Sequence, residues 1–486
     1  MRNRSLAALG LSVLVAGCQL APDHVRPALP TAPAYPVYGD TVVIGQRATD
    51  IGWRDFFADP RLAELVAAAL ERNRDLAVAV AQIEEARGLY RIQAADRLPT
   101  LGASADVIRS RTSGFGVDGT GVPTAGATTF TRYSVGVAVS SFELDFWGRV
   151  RNLAEAARSE YLATIEAQRA FRLALIRDVA SAYFAGREAE ERIALAEATV
   201  KSRQEGVRVA KRRLDAGVTS ALDFRQAESL LTQAETDLAG LRLAKAQSDN
   251  LLSVLVGGTV PDALPAALPL AHQKSGPALA EGLPSDLLVA RPDVLAAEER
   301  LRAARANIGA ARAAFFPTIS LTGALGFAST ALGNLFDGDS FNWSIGPTLG
   351  LPIFDGGRTR ANLTVAQARE NIQVATYERT VQGAFREVAD ALAGRRWLAE
   401  QVAAQTRATV AQREIARIAR IRYREGVANY LEVLDAERNL FAAEQALIAL
   451  RRIELDNLVS LYVALGGGAI ERTGDVAQPA GAGWSG

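Results

Sequence analysis

The sequence predicts a mainly α-helical chain with a transmembrane β part, built as a duplicated unit. Each chain has long coiled-coil helices and four β-strands, and the strands form a 12-stranded barrel in a homotrimer. Three observations predict this. Gly148 and Gly217 stand 69 residues apart, as do Gly357 and Gly426, and the first span contains no proline. Upstream of each span, two segments of about ten residues alternate apolar with small polar residues. A short apolar leader ends at Cys18, the chain's one cysteine.

Composition excludes several classes. The 486 residues carry 54 acidic and 54 basic side chains, so the formal net charge is zero, and no nucleic-acid partner is expected. A single cysteine rules out an intrachain disulfide. His24 and His272 are the only histidines and leave little for metal or acid–base chemistry. The sequence holds no Ser/His/Asp set with a usable histidine, no phosphate-cradling loop and no metal-ligand cluster. Carboxylates on long helices belong to solvated faces. An enzyme is therefore not expected, nor is any cofactor or metal. No run approaches the roughly 20 apolar residues of a membrane-spanning helix.

In chain order, residues 1–17 form a signal peptide, with Arg2 and Arg4 before the apolar stretch Leu6 to Val15. Val15-Ala16-Gly17-Cys18 resembles a bacterial lipobox, which makes Cys18 the lipidated N-terminus. Gln19 after it, by the same resemblance, implies sorting to the outer membrane. Residues 18–60 form a Pro- and Ala-rich arm. The first repeat covers 61–256. Asp59-Pro60 opens a helix running from near Arg61 to about Arg97, stopped by Pro99. A β-hairpin follows over about 98–145, in which Leu101, Ala103, Ala105 and Val107 alternate with small and polar residues around a loop from about Ser110 to Thr129. Tyr133, Val135, Val137 and Val139 continue the pattern.

The long helix over about 149–215 is rich in good helix formers and would extend about 100 Å at 1.5 Å per residue. Leu175, Val179, Ala182, Gly186, Ala189, Ile193, Ala196, Val200, Val207, Ala210 and Leu214 recur in steps of four and three or their sum, a coiled-coil seam whose small residues allow close approach. A return helix then runs to Val256. Residues 257–292 form a connector with short elements. The second repeat, 293–466, restarts with a helix at Asp293. Its hairpin, about 317–353, places Ile319, Leu321 and Trp343 on the lipid face and Ser320, Thr322 and Ser344 on the other. Pro347 marks an edge or a bulge. A second long helix, about 358–424, and its return helix complete the copy. The tail, 467–486, is Gly- and Ala-rich and expected to be disordered.

Four strands cannot close a barrel, and open edges in lipid leave backbone groups unpaired. An oligomer is required. Two chains give eight strands and a lumen filled by side chains. Three chains give twelve strands and an open lumen lined by Ser, Gly, Ala and Thr, so the trimer is favoured.

The chain resembles the outer-membrane factors of the TolC-like superfamily, in the OprM/NodT-type lipoprotein branch. The resemblance rests on Ala16-Gly17-Cys18, Trp53-Arg54-Asp55-Phe56-Phe57-Ala58-Asp59-Pro60, and Ala290-Arg291-Pro292-Asp293-Val294 through Phe316-Pro317-Thr318. Further support comes from Pro352-Ile353-Phe354-Asp355-Gly356-Gly357-Arg358 and from Tyr423-Arg424-Glu425-Gly426-Val427 through Leu434-Asp435-Ala436-Glu437-Arg438. It implies a homotrimer with a barrel in outer-membrane lipid, a twelve-helix periplasmic tunnel and a mixed equatorial domain. It further implies the exit duct of a tripartite efflux pump, with a periplasmic adaptor (membrane fusion) protein and an inner-membrane transporter of the resistance–nodulation–division (RND) class. The tip residues Gly217, Val218, Gly426 and Val427 would dock the adaptor. Leu431 and Asp435 lie one turn apart on one helix face, and three-fold symmetry would make rings of them. By resemblance Asp435 is the periplasmic constriction, Glu432 lies near a second acidic position and Arg438 one turn beyond. Tyr423 and Asp223 match a pair that ties the tip hairpins. The alternatives are a protein-secretion exit duct and a lipid-anchored periplasmic scaffold, and four alternating strands argue against the scaffold.

Overall fold

The computed structural model describes residues 19–38, 45–112, 116–117, 123–124, 127–260, 263–273, 277–282 and 284–476. The leader 1–17 and Cys18 fall outside them. The main elements are helices α1 (Pro60–Arg72) and α2 (Arg74–Ala95), strands β1 (Leu101–Thr112) and β2 (Thr128–Glu143), and helices α3 (Arg149–Asp215) and α4 (Ala221–Val256). The second copy supplies α5 (Pro292–Ala313), β3 (Thr318–Ser329), β4 (Phe341–Gly350), α6 (Arg358–Arg424) and α7 (Tyr430–Ala464). Both long helices, α3 and α6, have 67 residues. Among the described residues no helix is long and apolar enough to cross a membrane.

The chain divides into two compact units. One comprises Met1–Pro27, Glu84–Leu162 and Glu298–Ala375. Its centre is an antiparallel sheet in the order β1-β2-β3-β4. The polar loop of the first hairpin is shorter than expected, because β1 reaches Thr112 and β2 begins at Thr128. A two-residue ladder, Gly116–Val117 with Pro123–Thr124, stands inside it. Pro347 lies on β4, an edge strand within the chain, where a missing N–H can point away from the ladder. The irregularity falls instead in β2, between Val139 and Phe142.

Register fixes the two faces. Val107 pairs with Tyr133, Val137 with Leu325, and Leu325 with Trp343. Directly opposed residues share a face, and alternation puts Ile319, Leu321 and Ile345 with them. Val107, Leu325, Trp343 and Ile345 are each more than half exposed. On the other face Ala138, Ala324 and Ser344 oppose one another in turn, Ser104 opposes Gly136, Ser134 opposes Ala328 and Thr322 opposes Gly346. The sheet is therefore apolar on one side and small and polar on the other. In the same unit, residues 20–26 lie along α5. Arg312 donates to the Leu20 carbonyl at 2.9 Å and Arg305 to the Val25 carbonyl at 2.7 Å. Buried Glu298 receives Arg26 at 2.8 Å and bonds His24 at 3.1 Å. Gly309 permits this approach: a Cβ there would stand 2.8 Å from the Ala21 nitrogen.

The second unit comprises Ala28–Ile83, Ala163–Ala297 and Thr376–Gly486. Its core joins Trp53, Leu62, Leu65, Ile176, Val179, Tyr183, Tyr377, Val388, Leu461 and Tyr462 in one buried cluster. Leu175, Val179, Ala182, Ala189, Ala196 and Ala210, all on the seam seen in the sequence, are buried. The single helix expected from Arg61 to Arg97 is two. Asn73 breaks it by turning extended, accepting from the Leu76 N–H at 2.8 Å and donating to the Leu255 carbonyl at 2.9 Å. An Asn side chain that satisfies backbone groups on both sides competes with the helix ladder.

The expectation of a disordered tail is corrected for its first ten residues. The Ile470 and Glu471 carbonyls accept from the N–H groups of Trp53 and Arg54 at 3.1 and 3.0 Å, and Ile470 is buried. Nearby, Phe56 stacks on Tyr462 with ring centroids 3.9 Å apart, and the Tyr462 hydroxyl donates to the Ile51 carbonyl at 2.6 Å.

Burial also shifts a carboxylate of this unit upward. Burial pushes Asp456 on α7 up to about 6 from 3.8, against the pull of Arg452 and Ser181. The folded state thus holds a proton that the unfolded chain releases. The contribution of Asp456 to stability is fully present below its ordinary value and is lost as pH rises through about 6. Asp456→Asn should flatten the pH dependence of unfolding between those two values. Identical slopes for variant and wild type in a pH series of unfolding midpoints would remove this assignment.

Candidate functional site at the helix tips

Two helical hairpins, α3–α4 and α6–α7, turn within a few residues by the same device. Gly217 and Gly426 take φ of +69° and +75°, a left-handed conformation that glycine adopts without a Cβ penalty. The N–H of the next residue then closes the helix: Val218 donates to the Arg213 carbonyl and Val427 to the Arg422 carbonyl, each at 2.9 Å. With the chain folded back so tightly, both valines are left well exposed. Each return helix is then capped. Ser220 and Asp223 form a reciprocal capping box, and Asn429 accepts from the Glu432 N–H at 3.0 Å.

The residues expected at the constriction lie on α6, α4 and α7. Leu431 and Asp435 are exposed one turn apart on α7. Asp435 is not bare: it accepts from Arg438 on its own helix and from Asn439 at 3.4 Å. Glu432 takes the Arg422 guanidinium at 2.6 Å. Asp223 is held by the Thr219 hydroxyl at 2.5 Å, which with Ser220 and Arg213 keeps its carboxyl below the usual range. Among the described residues no hydrogen bond joins Asp223 to Tyr423. The Tyr423 hydroxyl accepts instead from Arg213 of the other hairpin, whose guanidinium carbon lies 5.4 Å from the Tyr423 ring centroid. Tyr423 also packs against Tyr430, at 5.1 Å between centroids.

Sequence reasoning missed three residues that join the hairpins near their tips. Arg213 is one. The others are Arg203 on α3 and Glu437 on α7, an ion pair at 2.9 Å with both side chains largely shielded. Arg420 on α6 reaches the same carboxylate at 2.9 Å, so Glu437 is clamped from both hairpins. Gly206 lets the second hairpin close in, since a Cβ there would stand 2.3 Å from the Tyr430 hydroxyl.

Paired long hairpins with apolar tips, together with a sheet apolar on one face and small and polar on the other, define the class: a membrane-channel subunit with a helical extension. The chain belongs to the outer membrane efflux protein family, which it matches over residues 65–258 and 283–467. It is 43% identical over 474 residues to the solvent efflux pump outer membrane protein SrpC of Pseudomonas putida, covering 96% of this chain and 99% of that one. It is 40% identical over 461 residues to the cation efflux system protein CusC of Escherichia coli, covering 94% and 97%. Among solved structures, the open state of the Neisseria gonorrhoeae MtrE outer membrane channel is similar with a TM-score of 0.84 at 40% identity, covering 94% of this chain and all of that one. A crystal structure of CusC gives 0.81 at 39% identity, covering 93% and 100%.

Proposed function

We propose that this protein is the outer-membrane exit channel of a tripartite efflux pump. It passes small molecules outward from a periplasmic adaptor and an inner-membrane RND transporter. The observation that carries the reading is the sheet. Its apolar face suits lipid and its Ser-, Gly- and Thr-lined face suits a watery lumen, yet β1 and β4 both keep an open edge within the chain. Backbone groups on open edges are not tolerated in hydrocarbon, so three copies closing a twelve-stranded barrel satisfy what one cannot. The relatives named above are a solvent pump and a cation system, which supports a duct that accepts varied cargo chosen elsewhere in the pump.

The N-terminus fits the same reading. Residues 20–26 run along α5 so that Leu20 lies at its strand-proximal end, and a lipid on Cys18 would enter the bilayer beside the barrel. The mass of the mature N-terminal peptide tests the lipid. The apolar tips at Val218 and Val427 are the docking points for the adaptor. Leu431 and Asp435, ringed by symmetry, form the constriction, with Glu432 and Arg438 around it and the Arg213–Tyr423 contact holding the hairpins closed.

Single-channel recording in planar bilayers tests this. Wild-type protein should form discrete channels, and Asp435→Ala should raise their conductance and weaken block by divalent cations. Arg213→Ala with Tyr423→Phe should raise conductance as well. Absence of channels from the wild type sinks the duct, whereas unchanged conductance in both variants moves the constriction elsewhere.

A further inference from the structure

The lipid-side face of the first hairpin does not stay apolar to its end. On β1 that face carries Leu101, Ala103, Ala105 and Val107, and then Arg109 and Arg111. Arg109 opposes Thr131 and Arg111 opposes Thr129 on β2, while Tyr133 opposes Val107 one step below. Both arginines are exposed, and no carboxylate of the described residues pairs with either. On the opposite face, Arg132 pairs in register with Ile108 and Asp106 with Ser134, so these charges belong to the lumen side and cannot serve as partners.

The position along the strand matters. The helices join the sheet at one end, through Leu101, Glu143, Thr318 and Gly350. Arg109 and Arg111 lie at the other end, two and four residues beyond Val107, or roughly 7 and 13 Å along a strand. Under the barrel reading that end meets the outer leaflet, opposite the periplasmic helices. An arginine on the lipid face is costly at mid-depth and is tolerated near the interface. Two in succession therefore mark the headgroup level. Arginine at that level offers a planar fork suited to phosphate, and the threonine hydroxyls beside it supply further donors.

We propose that Arg109 and Arg111, with Thr129 and Thr131, form a docking surface for the phosphate of an outer-leaflet lipid. Each protomer would hold one such headgroup against the outside of the barrel. The proposal rests on the barrel reading and adds to it an annular lipid site that is selected by charge. A neutral face would accept any lipid; this one discriminates phosphorylated glycolipid from uncharged lipid through two guanidinium groups that no carboxylate among the described residues pairs with.

The test uses the intact channel extracted in mild detergent from outer membranes, with bound lipid counted by native mass spectrometry. Wild type should retain phosphorylated glycolipid. In R109Q/R111Q retention should fall by about tenfold or more, as expected when two charge-assisted hydrogen-bonding groups are lost. R109K/R111K should keep part of it, because charge remains while the fork is gone. Added back to delipidated wild type, enzymatically dephosphorylated glycolipid should not bind. Equal retention by R109Q/R111Q and wild type, or equal binding of the dephosphorylated lipid, overturns the site. Single-channel conductance of R109Q/R111Q should match wild type, which separates loss of the lipid site from failure of the channel reading: if the latter were wrong, wild type itself would form no channels.

Discussion

Arginine in place of Leu325 is expected to abolish assembly of the channel in the membrane, whereas arginine in place of Ser344 is expected to leave it intact. Leu325 stands between Val137 and Trp343 on the apolar face and is 57% exposed in the isolated chain. Ser344 opposes Ala324 on the other face, one residue along β3. The substitutions therefore place the same charge at nearly the same depth on opposite sides of one sheet. On the lipid side it costs about 2–4 kcal/mol per copy, and three copies in a trimer multiply the penalty. On the lumen side the guanidinium meets water and costs little. The readout is the fraction of protein recovered from outer membranes as detergent-resistant trimer. Equal yields for the two variants would mean that the faces do not separate lipid from lumen.

How much of this was legible depended on whether the controlling interaction was local. The hairpin turns were, because Val218 and Val427, just after Gly217 and Gly426, close their helices through bonds to residues five positions back. The capping box at Asp223 was equally local, and is spelled out as Ser220-x-x-Asp223. The break at Asn73 was not. An asparagine within an apolar-periodic helix looks like any solvated polar residue. Here its amide is drawn to the Leu255 carbonyl, far along the chain, while Gly257 approaches so closely that a Cβ would stand 2.1 Å from the Arg72 carbonyl oxygen. The tail misled for a related reason. Gly467 reads as a mark of disorder, yet it is small because it packs under a ring: a Cβ there would lie 2.3 Å from Tyr462.

The tip showed the same division. That Leu431 and Asp435 share one helix face followed from spacing alone. The ties between the hairpins did not, since Arg213 meets Tyr423 and Arg203 meets Glu437 across more than two hundred residues. Arginines are plentiful on both long helices. Nothing in the local pattern distinguishes Arg203 and Arg213, which bridge the two copies, from Arg208, which pairs with Glu205 on its own helix.

Removing the carboxylate of Asp59 should destabilise the second unit more than any other single truncation proposed here. As the N-cap of α1 it was visible in sequence, but capping is its smaller task. It is completely buried. One oxygen accepts from the Arg61 N–H at 2.9 Å. The other accepts from the Tyr183 hydroxyl at 2.5 Å, the Gln273 amide at 2.6 Å and the Leu268 N–H at 3.0 Å. The start of α1, the middle of α3 and the connector thus converge on one carboxylate. Asp59→Ala strands four donors, and each buried donor left unpaired costs about 1–3 kcal/mol. Even with partial relaxation or an entering water, a loss of at least about 3 kcal/mol is expected. Tyr183→Phe deletes one donor together with its need for a partner and should cost only about 1 kcal/mol. Asp59→Asn should fall between the two, because it keeps one acceptor oxygen but turns an amide N–H toward groups that also donate. Denaturant unfolding of the three variants measures the order directly. If Asp59→Ala proves no less stable than Tyr183→Phe, the carboxylate is only a helix cap, and the connector is held by its apolar contacts alone.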